Sequence, residues 1–163
     1  MRRWKKTSER GTRGAFTLIE LAAVVAILAL LASVAIPRFS DAVAEQRARA
    51  AAQRVAADVE LAAARAARTS SPETIRFNLA NRSYQILGAA DVERPSQTYT
   101  VNLAGEPYAI EKIEAEFNGD AELKFDGYGL PDSGGSVTVE AGGHTRIVTV
   151  DDTTGKATMI EGS

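Results

Sequence analysis

The stretch that decides the fold is Phe16-Thr17-Leu18-Ile19-Glu20, which is followed by an uncharged run from Leu21 to Ile36 and then by Pro37. From Phe16 to Ile36 the chain has 21 residues and a single charge, that of Glu20. A helix of this length spans about 30 Å, the thickness of the hydrocarbon core of a bilayer. The stretch therefore predicts a membrane-spanning helix. An acid inside such a helix costs about 3 kcal/mol on insertion, so Glu20 calls for a functional role.

Charge is distributed unevenly on the two sides of this segment. Residues 1–15 carry six basic side chains and one acidic side chain, whereas the rest of the chain carries 13 basic and 20 acidic ones. Basic residues before an apolar span favour retention of that end in the cytoplasm. We therefore expect the N-terminus to be cytoplasmic and the acidic remainder to lie on the other side of the membrane. The chain has no Cys, so this outer part folds without disulfides.

A secretory signal peptide is the alternative interpretation of the same segment. Ser33-Val34-Ala35 has the small residues of a signal-peptidase site. However, Glu20 interrupts the apolar region, which is also longer than the roughly 7–15 residues of a typical signal peptide. A membrane anchor that remains in the mature protein is the better prediction.

Residues Arg13-Gly14-Ala15-Phe16-Thr17-Leu18-Ile19-Glu20-Leu21 resemble the processing segment of type IV pilins and type II secretion pseudopilins. In that family a prepilin peptidase cleaves before a Phe, a Glu follows this Phe by four residues, and a helix-kinking Pro follows it by 21. Phe16, Glu20 and Pro37 match both spacings. The resemblance implies cleavage between Ala15 and Phe16, N-methylation of Phe16, and roles for Glu20 and Pro37 in assembly.

One position departs from the family pattern, because the residue directly before the Phe is usually Gly and is here Ala15. A cut after Gly14 would increase the spacing to Glu20 by one residue. We therefore place the cut after Ala15, with Gly14 as the alternative.

The region after Pro37 is predicted to continue the helix, because Asp41 to Arg68 is rich in Ala and contains no Gly or Pro. Apolar residues at helical spacing are predicted to face a packed domain: Phe39, Val43, Val55, Val59, Ala62 and Ala66. Charged residues of the same helix are predicted to face solvent or other subunits: Glu45, Arg47, Arg49, Arg54 and Arg65. The helix is expected to end at Thr69 to Pro72.

Beyond Pro72 the hydrophobic period changes to two, which predicts six or seven short, mostly antiparallel strands. Eight segments are candidates for these six or seven strands, namely Thr74–Leu79, Ser83–Leu87, Thr98–Val101, Ile110–Phe117, Ala121–Phe125, Ser136–Val139, Arg146–Val150 and Lys156–Ile160. The fourth has the weakest alternation, and Leu87 to Pro95 is expected to be irregular. One long helix packed on a small β-domain is an α+β fold. The predicted segments are a leader (1–15), a membrane and filament-core helix (16–36), its continuation (37–71) and a β-rich periplasmic domain (72–163).

A second resemblance covers roughly residues 51–160. Phe125-Asp126-Gly127-Tyr128-Gly129, Gly134 to Val139, Arg146 to Val150 and Thr154-Gly155-Lys156 look like the β-domain of the minor pseudopilin H group, which includes FimT-type minor pilins. The two resemblances together imply a pilin-like fold and a minor pseudopilin of a type II secretion pseudopilus. The alternative is a FimT-like minor type IV pilin in pilus assembly or DNA uptake.

Catalytic and metal-binding interpretations find little support in the sequence. His144 lies in a Gly-rich turn, and no spacing joins it to Ser136 or Asp132 as a nucleophile and base. Asp151-Asp152 with two Thr, or Asp126 with Asp132, offers fewer oxygen ligands than the six to eight of calcium. We therefore expect no enzyme activity, no cofactor and no metal.

The expected partners are other pseudopilins or pilins, the prepilin peptidase and the inner-membrane assembly platform. DNA is an unlikely partner, because the C-terminal stretch Thr154 to Glu161 has a single Lys and the chain after residue 15 is acidic. The expected location is the bacterial inner membrane, with a single membrane pass.

Overall fold

The computed structural model describes residues 17–91 and 95–162. Helix α1 (Leu18–Thr69) is 52 residues long and passes through Pro37 without a break, which confirms the predicted continuous helix. The chain divides into two compact units, one that ends at Phe39 and one that begins at Ser40, so α1 contributes to both. The helix ends where Ser70 adopts a left-handed conformation (φ 49°) and the Ser71 amide donates to the Ala66 carbonyl at 3.2 Å.

The unit that begins at Ser40 contains, among the described residues, eight strands. These are β1 (Glu73–Asn78), β2 (Ser83–Ala90), β3 (Thr98–Asn102), β4 (Lys112–Phe117), β5 (Glu122–Phe125), β6 (Gly135–Ala141), β7 (His144–Val150) and β8 (Ala157–Glu161). They form two antiparallel four-stranded sheets, with the orders β3-β2-β1-β5 and β4-β6-β7-β8. The α+β fold is therefore confirmed. Each of the eight candidate segments forms a strand within a few residues, so the predicted count of six or seven was too low.

Strand β2 extends to Ala90, although residues after Leu87 were expected to be irregular. The extension depends on a bulge, because the β2–β3 register shifts between Ile86 and Ala90. Gly88 lies in this interval with a φ of +94°, a conformation that favours glycine. The interrupted alternation therefore hid the second half of the strand.

The core lies between the strands and the second half of α1. Strand residues alternate, so that Ile75 and Phe77 of β1 and Leu123 and Phe125 of β5 are buried. The helix contributes mainly small side chains, which let it approach the sheets closely: Ala48, Ala51, Ala52, Val55, Val59, Ala62 and Ala66, all at most 1% exposed. The last four were predicted to face the domain. Phe39, predicted with them, is 73% exposed, because the buried stripe begins only at Ala48.

The loop between β5 and β6 is held against the helix by a close backbone approach. A Cβ at Gly129 would lie 2.6 Å from the Ala63 carbonyl oxygen, and the φ of Gly129 is +81°. The Asp126 carboxylate accepts the Tyr128 and Leu130 amides at 2.8 and 2.9 Å. The Gly-rich motif that starts at Phe125 is therefore a packing element of the domain.

Candidate assembly surfaces

The first half of α1 is an apolar surface that nothing in its own unit covers. All residues from Leu18 to Ile36 are exposed, and Glu20 is the single charged residue among them. The large apolar side chains on this surface are Leu18, Ile19, Leu21, Val24, Val25, Ile27, Leu28, Leu30, Leu31, Val34 and Ile36. Among the described residues, α1 is the one helix long and apolar enough to cross a membrane. A surface of this kind requires lipid or other helices around it.

Glu20 takes part in the first turn of this helix. The Glu20 amide donates to the Thr17 hydroxyl at 3.3 Å, and the Thr17 amide donates to Glu20 Oε2 at 3.5 Å. This reciprocal arrangement is a capping box, which satisfies backbone donors that the helix itself leaves unpaired. The signal was present in the sequence as Thr17-x-x-Glu20 but was not used in the prediction. Glu20 therefore has a local structural role that coexists with any role in assembly.

The other residues predicted for processing and assembly are three that precede the described helix and Pro37 within it. Gly14, Ala15 and Phe16 lie outside the described residues, so the cleavage position remains a prediction. Pro37 lies inside α1, and the helix is continuous around it. Pro37 therefore does not end the helix, and its role in assembly also remains a prediction.

The arginines of the second half of α1 were predicted to face solvent or other subunits, but most of them hold the helix to the β-domain. Arg47 pairs with Glu106 at 2.5 Å, and Arg65 pairs with Glu73 of β1 at 3.3 Å and donates to the Gly88 carbonyl. In a further pair the acid is on the helix and the base is on a strand: Glu45 pairs with Arg146 of β7 at 3.2 Å. The prediction was wrong for Arg47 and Arg65, which are half-buried because acceptors of the β-domain lie close to the helix only in the folded chain. Glu45 and Arg49 are exposed, as predicted.

A buried polar cluster joins α1 to β2 and β3. Asp58, which is 4% exposed, accepts hydrogen bonds from the Tyr84 hydroxyl at 2.5 Å and from Arg54 Nε at 3.0 Å. The Tyr99 hydroxyl donates to the same carboxylate at 3.0 and 3.1 Å, and Arg54 also donates to the Tyr99 oxygen. Asp58 is thereby satisfied by three donors from three elements, as a buried carboxylate requires.

This polar cluster shifts the titration of its tyrosines. Burial, together with the adjacent Asp58 carboxylate, raises the pKa of the Tyr84 hydroxyl, and the same two causes raise the pKa of Tyr99. A raised pKa keeps both hydroxyls protonated, which is the form that donates to Asp58. No local sequence pattern predicted the cluster, because its members lie up to 45 positions apart.

A second group of charged contacts joins α1 to the last two strands of the domain. Arg146 of β7 is 7% exposed and pairs with Glu45 of α1 and with Glu161 of β8, at 3.2 and 3.1 Å. The Arg146 guanidinium also donates to the Thr145 carbonyl at 2.9 Å. The helix, β7 and β8 are therefore joined through one guanidinium.

His144 is not brought into a catalytic arrangement. It was expected in an exposed turn, but it is the first residue of β7, and its Nε2 lies 2.9 Å from Asp41 Oδ1 of α1. Ser136 lies on β6 opposite Thr149, and Asp132 accepts the Lys124 amide at 3.2 Å. The three residues considered for catalysis thus serve separate structural contacts.

The acidic turns considered for calcium use their oxygens within the turn. Asp151 Oδ1 accepts the Thr154 hydroxyl and amide, both at 2.7 Å, and the Thr153 amide at 3.1 Å. The Thr154 hydroxyl and then the two amides lower the pKa of Asp151. Among residues 17–91 and 95–162, no group of three or more His, Asp or Glu side chains is arranged to hold a metal ion.

The sequence and fold of the chain resemble those of known proteins. A family model described as "Type II transport protein GspH" matches residues 51–154. The fold is similar to that of the minor pseudopilin EpsH from the Type 2 Secretion System of Vibrio cholerae, with a TM-score of 0.54 and 15% identity, over 71% of this chain and 97% of that one. It is also similar to that of the type IV minor pilin FimU of Pseudomonas aeruginosa, with a TM-score of 0.51 and 11% identity, over 72% and 90% of the two chains. No curated protein matches the sequence. At these identities the structural likeness concerns the fold alone.

Proposed function

This chain belongs to the type II transport protein GspH family, and from that premise we propose how it works as a minor pseudopilin subunit. Pseudopilins assemble with one another into a filament, and their role is structural. The observation that supports this role most directly is the apolar first half of α1, exposed from Leu18 to Ile36 and joined in one helix to a folded β-domain. Such a segment is stable in lipid before assembly and in contact with other helices afterwards.

The first proposed step is the processing of the N-terminus. Prepilin peptidase removes residues 1–15 by cleavage between Ala15 and Phe16, and the new Phe16 amine is methylated. The mature chain is a single-pass protein of the inner membrane, with residues 16–36 in lipid, 37–71 continuing the helix and 72–163 folded in the periplasm. The basic leader and the acidic remainder support this orientation.

Assembly transfers residues 16–36 from lipid into a bundle of helices, in contact with the inner-membrane platform. Small residues in this segment permit close approach of helices: Ala22, Ala23, Ala26, Ala29, Ala32 and Ser33. In the bundle, Glu20 offsets the positive amine of a neighbouring subunit, where the low dielectric strengthens the attraction. Glu20 lies exposed in the first turn, so its carboxylate can release the Thr17 amide and bind the amine of a neighbouring subunit.

Processing and membrane topology are tested by mass spectrometry of the protein extracted from membranes of cells that express a prepilin peptidase. We expect the loss of 15 residues and an N-methylated Phe16. An N-terminus at Ile36 would instead support the signal-peptide interpretation. Retention of the full leader would contradict the proposed processing.

The alternative role, that of a FimT-like minor type IV pilin in pilus assembly or DNA uptake, is distinguished by deletion of the gene in its host. A pseudopilin deletion abolishes the export of secreted enzymes across the outer membrane, whereas a pilin deletion abolishes pilus-dependent movement or DNA uptake. For the pseudopilin, we also expect weak DNA binding at physiological salt, because the C-terminal stretch has Lys156 as its single basic residue.

A further inference from the structure

The four outer strands of the two sheets differ in how their free edges are protected. In the part of the chain that the structure describes, β3 and β5 are the edges of the first sheet, and β4 and β8 are the edges of the second. An edge strand presents unpaired backbone groups that can bind another strand, and proteins usually cover or charge such edges. The protection of each edge therefore indicates whether it is available to a partner.

Three of the four edges are covered or charged. The loop after β5 covers that strand, because the Asp132 amide donates to the Lys124 carbonyl at 2.8 Å and the Asp132 carboxylate accepts the Lys124 amide. Strand β4 carries exposed charges at alternate positions, namely Lys112, Glu114 and Glu116. Strand β8 has Lys156 directly before it and ends at Glu161, which is paired with Arg146.

Strand β3 lacks these protections. From Pro95 to Gly105 the chain has no charged residue, and Thr98, Thr100 and Asn102 are exposed. The Leu103 amide donates to the Arg82 carbonyl, and in the same register Val101 lies opposite Tyr84. Because antiparallel pairs alternate, the backbone groups of Val101 point toward β2 and those of Thr100 and Asn102 point away from it. Two local side-chain contacts lie near them: the Thr100 hydroxyl donates to the Thr98 carbonyl at 3.0 Å, and Asn102 Oδ1 accepts the Ala104 amide at 2.9 Å.

The buried polar cluster holds β3 in place on the side of the sheet that faces α1. Tyr99 lies between the exposed Thr98 and Thr100, and its hydroxyl is bonded to Asp58 and Arg54 of α1. Val101, the next inward residue, is 8% exposed. The strand is therefore held in an extended form before any partner arrives, which reduces the entropy lost on binding.

We propose that β3 is a docking edge that accepts an extended, uncharged segment of another protein as a fifth strand of the sheet. Backbone bonds to Thr100 and Asn102 provide affinity, and side chains that alternate with Thr98, Thr100 and Asn102 provide selectivity. A neutral segment fits best, because the edge carries no charge that would pair with a partner's Lys or Asp. The donor of this segment is another pseudopilin, an identity that rests on the proposed function.

Binding is tested with the full-length protein in detergent micelles and two end-capped peptides. One peptide has seven residues of alternating Thr and Val, and the matched control is N-methylated at every amide so that neither of its edges can pair with a strand. We expect the first peptide to slow hydrogen exchange of the Thr100 and Asn102 amides about tenfold, and the control peptide to leave it unchanged. No protection by either peptide, or equal protection by both, overturns the proposal.

Variants locate the binding to this edge. Thr100→Pro removes an outward amide without removing a bond to β2, and Thr100→Val keeps the amide and a similar shape. We expect Val to bind like the wild type and Pro to lose peptide protection of Asn102. If Pro lowers the melting temperature, Thr100→Lys replaces it, since a Lys at an edge opposes pairing. Unchanged binding by the Pro or Lys variant overturns the proposal.

Two other outcomes are distinguished by separate measurements: pairing of β3 with a second copy of the chain, and failure of the proposed pseudopilin function. Light scattering of the full-length protein in micelles reports a dimer if β3 binds a second copy, and a dimer lost in Thr100→Pro would replace the proposed donor. Peptide binding does not require a secretion apparatus, so its result stands whether or not the chain proves to be a pseudopilin.

Discussion

The two halves of α1 share a high content of Ala and have opposite surroundings. Both are rich in Ala, yet Ala22, Ala26 and Ala29 of the first half are exposed, whereas Ala48 and Ala52 of the second half are completely buried. The second half is covered by two sheets of its own chain, and the first half has only lipid or other subunits available. The same residue type therefore contributes to folding in one half and, under the proposed function, to assembly in the other.

The largest expected effect separates the charge of Glu20 from its capping role. Glu20→Gln retains an N-terminal capping side chain but loses the charge, so the Phe16 amine of a packed neighbour stays unpaired at a cost of about 3–5 kcal/mol. We expect cleavage and membrane insertion to persist and crosslinking to partner pseudopilins to be lost. The chain has no Cys, so single introduced cysteines report these contacts cleanly.

The matched variant for this experiment is Thr17→Val, which removes the hydroxyl that caps the helix and leaves the charge of Glu20 in place. A lost cap costs about 1 kcal/mol of helix stability, so assembly is expected to continue. Normal assembly of Glu20→Gln would show that the charge is not needed.

In the second half of the helix, Asp58→Ala is expected to destabilise the domain by about 3 kcal/mol. The substitution leaves the buried Tyr84 hydroxyl, and the partly buried Tyr99 and Arg54, without the carboxylate to which they donate. Denaturant unfolding measures the effect, and Glu60→Ala, at an exposed position of the same helix, is the control with a change within about 0.5 kcal/mol. Equal stability of both variants would mean that the cluster contributes nothing to folding.

A pair of identical substitutions tests the opposite surroundings of the two halves. Ala52→Leu inserts three carbons where the side chain is fully buried, and overpacking of this kind costs about 1–3 kcal/mol. Ala26→Leu places the same atoms on the exposed first half, so domain unfolding should not change. The comparison fails if Ala26→Leu shifts the unfolding midpoint as much as Ala52→Leu does.

The raised pKa of Tyr84 gives a smaller, pH-dependent effect. A folded-state pKa above the unfolded value of 10.0 stabilises the fold fully below pH 10, and this contribution is lost as pH rises through the folded pKa. We expect Tyr84→Phe to show the same tyrosinate absorbance rise near pH 10 as the wild type. A smaller rise in the variant would show that Tyr84 titrates normally.

The smallest effect is expected at the β7–β8 turn. Since the folded-state pKa of Asp151 is lowered, its contribution exists above the unfolded pKa and disappears as pH falls through the folded one. Asp151→Ala should lower the melting temperature slightly at pH 7 and not at pH 2, and Asp152→Ala should have less effect. Calcium and chelator should give the same midpoint, and a shift of several degrees on chelation would indicate a metal site.

Local pattern was sufficient to predict most of the elements. The length and composition of residues 16–36 predicted the membrane helix, and the change of period after Pro72 predicted the strands, because backbone geometry determines side-chain spacing directly. The weakest strand prediction, Ile110 to Phe117, proved correct for β4. The end of β2 was missed because a bulge at Gly88 breaks the alternation on which the prediction relied.

The sequence by itself determined the α+β fold, the position of the apolar anchor and its single acid, and the resemblance to pseudopilins. Tertiary structure decided which charged residues of α1 are structural, since Arg54 bonds to Tyr99, 45 positions away, and Arg65 bonds to Gly88, 23 positions away. It also decided that, among the described residues, β3 is the edge strand that no charged or covering residue protects, since the order of strands in a sheet determines which strand lies at its margin. Spacing along the chain specifies local geometry, whereas partners and edges depend on how the elements meet in space.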